Sequence, residues 1–477
     1  MMSKKEVDIT VYGATSFVAK HVIRYLVEAA AQKDHPPKSF VVALGGRSKT
    51  KLEALQKKFA AGNEAATKMF APIVFVADGN DLEGLKKIAQ KSKVVLNCAG
   101  PYSKYSSNVV AACAEHGADY VDFTGETNWV AEMRLKYSAM AKKSGARIVS
   151  LCGYDSIPSD LALFAAVQAL RGKAPNAKIE SGTIYHQAMG GANGGTIHTA
   201  LDMPVDLKRD VFKTTTAGTK QTLRKVPFLM GDPLQLTHPQ TVRHNPDFEA
   251  TRNRYALSEW LNQLLNFHSE FSYGVSIPMF MSPINMKVLH ASSIALKYGP
   301  NFKVRERFLP CGFVWTRVLG IMGFIPAICM QLVLFATIAL LKMPYLGKAI
   351  ADFLTPPGSG VPDSISALGT TAVYATVTSD VKDLSGKVDR GYAYLSFKGD
   401  AGNWTTAQCI CESAFCLIFD KDSLPKRSED GFGTPAEIFG DVLIKRFKET
   451  KVRPVDVQIN VRTDVNKNEM KVYINDM

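Results

Sequence analysis

The chain has 477 residues, 46% hydrophobic and 21% charged, enough apolar material for two or three domains with sizeable cores. Its 57 basic and 44 acidic residues leave a formal charge of +13. That excess is spread out, with no arginine-rich arm and no basic run interleaved with aromatics, so no nucleic-acid partner is expected, whereas a phosphate-bearing ligand or an anionic membrane surface would suit it.

The first 150 residues alternate between two periodicities. Short apolar runs predict strands at Val7–Tyr12, Phe40–Leu44, Pro72–Val76, Val94–Asn97, Tyr120–Asp122 and Arg147–Ser150. Between them, amphipathic spacing predicts helices at Phe17–Ala31, Lys49–Phe59, Leu82–Gln90, Ser107–His116 and Trp129–Lys143. Strands alternating with helices imply βαβ units and a parallel sheet.

Small residues crowd the first strand-to-helix turn: Gly13, Ala14, Thr15 and Ser16, with Phe17 and Val18 opening the helix. A helix that starts at the carboxyl end of a parallel strand points free N–H groups and its positive dipole end at the turn, and small residues let a pyrophosphate approach. Gly13, Ser16 and Ala19 have the spacing of a dinucleotide fingerprint, with two of its three glycines replaced. The second strand ends in Gly46, Arg47 and Ser48, with Lys51 a turn later, where an NAD-binding chain would carry an acidic residue. Arg47 and Lys51 can pair a 2′-phosphate and Ser48 can hydrogen-bond it, so NADP(H) is the expected cofactor and NAD(H) the alternative. At the fourth strand's end Asn97, Ala99, Gly100 and Pro101 form a close turn on the nicotinamide side, and Asp78 is expected near the adenine.

The later half reads as an α+β domain: a long strand at Ile179–Ala188, a Gly-rich turn at Gly190–Gly195, and an irregular insertion over 220–270. Further strands follow at Gly369–Thr378, Gly391–Phe397, Val455–Val461 and Lys471–Ile474, with helices at Thr405–Phe419 and Pro435–Lys448. Asn193, Thr196 and His198 mark a second anion-friendly helix start, or a plain domain-junction turn. Val318–Leu341 has no charged residue; Arg305, Arg307 and Arg317 precede it, Lys342 and Lys348 follow, and Trp315 and Tyr345 suit an interface. A span would put residues 342–477 across the bilayer from the rest of their domain. A re-entrant hairpin bent near Pro326, or a helix lying in one leaflet, is therefore expected, with a buried core helix as the alternative. The eight cysteines include no CxxC pair and no histidine at zinc spacing, so no metal is expected and the thiols read as buried and reduced. The charged, then strand-like first 15 residues are not expected to be a secretory signal.

GATSFVAK, GGRSKTKL, NCAGPY, YVDFTGE and CGYDSIPSDL follow one another in an order and spacing that resembles the saccharopine dehydrogenase-like oxidoreductases, a group that includes the trans-acting enoyl reductases. The resemblance is strong over residues 7–200 and weaker from 365 onward, where GNWTTAQ and GTPAEIF are similar to the family's C-terminal part. It implies an α/β chain: an NAD(P)-binding Rossmann-like domain over 1–155, an α+β substrate and dimerisation domain from 156–310 and 365–477, and a membrane-associated segment over 311–350. It also implies an NAD(P)-dependent oxidoreductase and, through its eukaryotic members, membrane or lipid-droplet association; the reduced thiols suit a reducing compartment, and a homodimer is among the expected partners. Ser16 departs from the glycine common in the family.

No dense arginine cluster suited to the carboxylates of saccharopine stands out, since Arg243, Arg252 and Arg254 lie in the Pro-rich insertion. A lipid-related enoyl or carbonyl substrate is therefore the expected one. A saccharopine-type amino-acid dehydrogenase, or a non-catalytic cofactor-binding membrane protein, is the alternative. Tyr102, Tyr154 and Asp155 are the candidate catalytic groups, with Ser156 beside them. Tyr102 has an alternative role packing on the nicotinamide, Asp155 or Ser159 one as a helix cap, and Asp122 and Glu126 one as turn residues.

Overall fold

The computed structural model describes residues 5–32, 39–189, 211–214, 220–223, 266–268, 274–299, 302–310, 324–341, 360–382 and 388–463, with 322, 343 and 349. Asn193, Thr196, His198, the arginines of the 220–270 insertion, Trp315, Arg317, Lys342, Tyr345, Lys348 and the expected strand at 471–474 lie outside these residues.

Six parallel strands make the first sheet: β1 Val7–Tyr12, β2 Val42–Gly46, β3 Phe75–Val76, β4 Ser92–Asn97, β5 Asp119–Asp122 and β6 Ile148–Val149. Their order is β3-β2-β1-β4-β5-β6, so the chain reverses direction of growth between β1 and β4 and leaves a crevice at their carboxyl ends. Ile9, Val11, Val42, Val94 and Leu96 are fully buried, as strands covered on both faces require. Helices Phe17–Ala30, Lys49–Ala60, Leu82–Lys91, Ser107–His116 and Thr127–Ser144 form the crossovers, each within two residues of the expected bounds.

The second sheet is mixed. Its strands are β7 Ile179–Met189, β10 Asn266–His268, β11 Gly274–Pro278, β12 Lys303–Phe308, β13 Thr370–Lys382, β14 Val388–Lys398 and β15 Asp456–Thr463, with a separate pair of β8 Val211–Thr214 and β9 Lys220–Leu223. β7 is central, parallel to β12 on one side and antiparallel to β13 on the other. Helix Ile157–Lys173 packs on β13 and β14 and leads from the first sheet into the second.

The C-terminal part returns to the first sheet. Helix Thr406–Phe419 packs against helix Phe17–Ala30 and against β4 and β5, and Phe415 meets Phe40 edge-to-face at 5.1 Å. Its Glu412 is fully buried: one carboxylate oxygen accepts from the Tyr25 hydroxyl at 2.6 Å and the other from Arg446 Nε at 2.7 Å. Arg446 also reaches Asp420 at 2.7 Å, so one carboxylate ties the cofactor-side helix to helices Thr406–Phe419 and Gly440–Glu449. The stretch expected as one helix over Pro435–Lys448 is two, Pro435–Ile438 and Gly440–Glu449, because Gly440 adopts φ +44° between them.

The apolar segment contains an 18-residue helix, Phe324–Leu341. Pro326 lies in its first turn, where a missing N–H costs nothing, so the helix starts before the proline rather than breaking at it. Met330 packs on the cluster of Ile277, Met279, Ile284 and Phe308. Ile325, Ile328, Leu332, Val333 and Leu340 face outward, Leu332 and Val333 being 63% and 66% exposed. Among the described residues no helix is long and apolar enough to cross a membrane. At 1.5 Å per residue this one rises about 27 Å, short of the ~30 Å hydrocarbon core. Arg307, expected as a basic flank of this segment, is instead a buried β12 residue whose guanidinium donates to the carbonyl and hydroxyl oxygens of Ser276 at 2.8 Å each. Burial pushes it down to about 10.

Glu412→Ala leaves Arg446 with Asp420 and the Tyr25 hydroxyl with only Thr450 Oγ1 at 3.3 Å, and should lower the unfolding free energy in urea by about 3–5 kcal/mol, with Glu412→Gln losing less. Asp160, fully buried with its carboxylate accepting from Ala436 N at 2.8 Å, is pushed by burial up to about 7. A raised carboxyl favours the fold when neutral, so its contribution is full below 3.8 and lost as pH rises toward about 7. Asp160→Asn should therefore flatten the dependence of the thermal midpoint on pH between about 4 and 8.

Candidate active site

The crevice between β1 and β4 is built around Gly13. Its φ is +73°, and a Cβ there would stand 2.7 Å from Ala99 N and 2.9 Å from Ala99 Cα, so the two strand-end turns approach as closely as backbone allows. Ala14 is buried and donates to Gly45 O at 3.1 Å, while Thr15 is exposed. Ser16 is the N-cap: its hydroxyl oxygen accepts from Ala19 N at 3.3 Å and its proton is left to donate. The N–H groups of Phe17 and Val18 are first-turn donors without intrahelical partners. This cradle fits a pyrophosphate, and a side chain on Gly13 would fill it.

Arg47 is exposed at the end of β2, its Nε 3.9 Å from Asp78 beyond β3. Ser48 caps the following helix, accepting from Lys51 N at 3.4 Å, and the Lys51 side chain is exposed. Arg47, Ser48, Lys51 and Asp78 thus sit together at the end of the crevice expected to take the adenosine. At the other end, Asn97 is fully buried and spent on structure: it donates to Ser106 Oγ and Tyr120 Oη and accepts from Ala99 N. Ala99, Gly100 and Pro101 form the turn facing Gly13.

Tyr102 follows that turn but is buried, its hydroxyl donating to Asn97 O at 3.3 Å and its ring tilted 5.8 Å from Trp129. Glu126, read as a turn residue, accepts from Tyr102 N at 2.7 Å and Ser103 N at 3.0 Å and so holds this turn. Asp122, at the end of β5, accepts from Tyr120 Oη, Ser150 Oγ, Thr124 N and Leu151 N. Burial pushes it up to about 6. Leu151 has φ +64°, a left-handed conformation that a branched residue rarely takes, three residues before Tyr154.

Tyr154 and Asp155 lead to a second cluster. Glu306 Oε1 of β12 accepts from Ser159 Oγ at 2.7 Å and Asn285 Nδ2 at 3.1 Å, and lies 3.1 Å from His186 Nε2 of β7. Ser156 donates to Asn285 Oδ1 at 3.2 Å, and the Tyr154 ring stands edge-on to His186 at 6.5 Å. All of these except Asp155 are buried, and Asp155 is half-buried. Burial and the Glu306 charge push Asp155 up to about 6. Neither Asp155 nor Ser159 caps the next helix: Ser156 takes the N-cap position, and the Ser159 hydroxyl is turned to Glu306. His186, Asn285 and Glu306 did not stand out in the sequence. Glu306 in the strand KVRERF was the one available signal, an acidic residue at an alternating position of a half-buried run.

Residues 9–149 match the family described as the saccharopine dehydrogenase NADP binding domain. A protein of Mycobacterium tuberculosis provisionally named a trans-acting enoyl reductase is 28% identical over 451 residues, 93% of this chain and 95% of its own. A lipid droplet localized protein of Caenorhabditis elegans is 40% identical over 154 residues, 32% of this chain and 34% of its own. Among solved structures, apo saccharopine dehydrogenase (L-Glu forming) from Saccharomyces cerevisiae is 13% identical, covers 95% of this chain and 99% of its own, and has a TM-score of 0.45. Residues 9–149 thus form an NADP-binding domain similar to that of saccharopine dehydrogenase; the chain is an NAD(P)-dependent oxidoreductase, and NADP(H) is its cofactor.

Gly13→Val should abolish NADPH binding, read as loss of nicotinamide fluorescence enhancement at 100 times the wild-type Kd. Arg47→Ala should weaken NADPH about tenfold or more and leave NADH unchanged.

Proposed function

We propose that this protein uses NADPH to reduce an enoyl or carbonyl group of a lipid-type substrate while seated on a membrane or lipid-droplet surface. The observation that carries this reading is the outward row of Ile325, Ile328, Leu332, Val333 and Leu340. Apolar surface facing water costs about 25 cal/mol per Å², and a helix with one such face gains by lying in the headgroup–acyl boundary. The names of the mycobacterial and nematode relatives support both halves of the reading.

Bound NADPH supplies a hydride. The chain's own part is to orient the acceptor at the nicotinamide end of the crevice, exclude water and provide a proton. Of the three candidates, Tyr102 already spends its hydroxyl on Asn97 O and suits a positioning role. The Tyr154 hydroxyl is buried without a hydrogen-bond partner and suits proton donation, while Asp155 stands half-buried, where it can exchange with solvent.

Flotation with phosphatidylcholine–phosphatidylserine vesicles tests the membrane half: the full chain should float, and Leu332→Asp with Val333→Asp should stay at the bottom while still binding NADPH. For the chemistry, NADPH oxidation should follow crotonyl-CoA; turnover of saccharopine with NADP⁺ in its place would refute the lipid reading.

A further inference from the structure

Three buried side-chain atoms in one cluster have no hydrogen-bond partner: Tyr154 Oη, His186 Nδ1 and Glu306 Oε2. Each is a group whose burial unpaired costs stability, so three in one place require an explanation. The partnered halves of the same residues show how the cluster is held. Glu306 Oε1 takes Ser159 and Asn285, and His186 Nε2 stands 3.1 Å from both that oxygen and Ser159 Oγ, which leaves Nδ1 as the side of the ring with no protein partner. The Tyr154 backbone is equally constrained, its N–H donating to Thr406 Oγ1 at 3.2 Å, and a Cβ on the preceding Gly153 would meet Phe123 Cβ at 2.9 Å. Glu306, His186 and the Tyr154 backbone are thus held in place, while one hydroxyl, one imidazole nitrogen and one carboxylate oxygen are kept unspent.

The cluster lies where the chain leaves the carboxyl end of β6 and enters the second sheet, the side of the first sheet on which ligands bind. We infer that Tyr154, His186 and Glu306 form the proton-delivery site of the reduction, with Tyr154 the catalytic residue that touches the carbonyl oxygen of the substrate and His186 and Glu306 its positioning residues. This rests on the reductase reading above. As hydride adds to the substrate carbon, its two electrons leave the reduced nicotinamide, which ends oxidised, and the oxyanion that develops takes the Tyr154 proton. The phenolate regains a proton from solvent by way of the half-buried Asp155. For an enoyl substrate the enol so formed tautomerises to the saturated carbonyl. The recognised class is an acyl group with its carbonyl conjugated to or at the reacting carbon.

The test begins without substrate, on the full chain lacking cofactor. A hydroxyl held for chemistry is a burden to the resting fold, so Tyr154→Phe should raise the thermal midpoint by about 1 °C or more, whereas Ser159→Ala, which removes a partnered hydroxyl from the same cluster, should lower it. A Tyr154→Phe midpoint at or below wild type would mean that the hydroxyl is satisfied, by a trapped water or a structural bond, and would overturn the inference. His186→Gln keeps a donor toward Glu306 and deletes only the Nδ1 side. It should fold as wild type and lose kcat on crotonyl-CoA with KM unchanged, and Tyr154→Phe should lose about 100-fold or more in kcat. Full rescue of kcat by the Gln variant would overturn the positioning role. Because the midpoint needs no substrate, failure of wild type to turn over crotonyl-CoA would count against the enoyl reading alone.

Discussion

Buried Glu412 is the constraint on which the two sheets' mutual arrangement depends. Its carboxylate has no access to water and is compensated by Tyr25 on the first crossover helix and Arg446 near the C-terminal end of the chain. Withdrawing Arg446 would leave the carboxylate without a countercharge in a low-dielectric interior, and withdrawing the Tyr25 hydroxyl would cost it a hydrogen bond there. Arg453 reinforces the same seam, its guanidinium 5.1 Å from the Tyr25 ring and 4.1 Å from that of Trp404, and its Nη2 2.9 Å from Glu28. The helix whose N-terminus forms the cofactor cradle is therefore held by residues almost 400 positions further on.

The cradle and the Glu306 cluster use the same economy in opposite ways. Around Gly13 the backbone supplies the donors, and the requirement on sequence is the absence of bulk. Around Glu306 the side chains supply everything, drawn from β7, β12 and the helices Ile157–Lys173 and Ser282–Ala295, and the requirement is long-range assembly. Leu151, in the left-handed region, and Tyr154 lie on the passage from β6 into the second sheet, where the Glu306 cluster begins.

That difference explains what was legible in the sequence. The first sheet was readable because its strands are short apolar runs and its crossovers are periodic, and the turn at Gly13 because spacing within six residues carries its chemistry. Tyr154 and Asp155 could be picked out from a local motif. His186 and Glu306 could not, because they are 120 positions apart, in strands whose parallel pairing no local pattern announces. Asn97 and Asp122 were located correctly at strand ends, but only the packed structure shows that their polar atoms are spent on holding turns. Arg307 misled for the converse reason: a basic residue near an apolar segment reads as a flank until β12 is seen to bury it.

The cover that helix Thr406–Phe419 provides over β4 and β5 also bears on how the chain is made. By the time β6 has left the ribosome, all six strands of the first sheet exist, yet the helix that seals one of its faces lies about 270 residues further on. At roughly 5–20 residues per second that interval is on the order of 10–60 s. Throughout it, Val22, Leu96 and Phe40 have no lasting neighbour on that side. An apolar face bare for so long is a substrate for chaperones, and the nascent chain would engage them from about residue 150 until its last helices emerge.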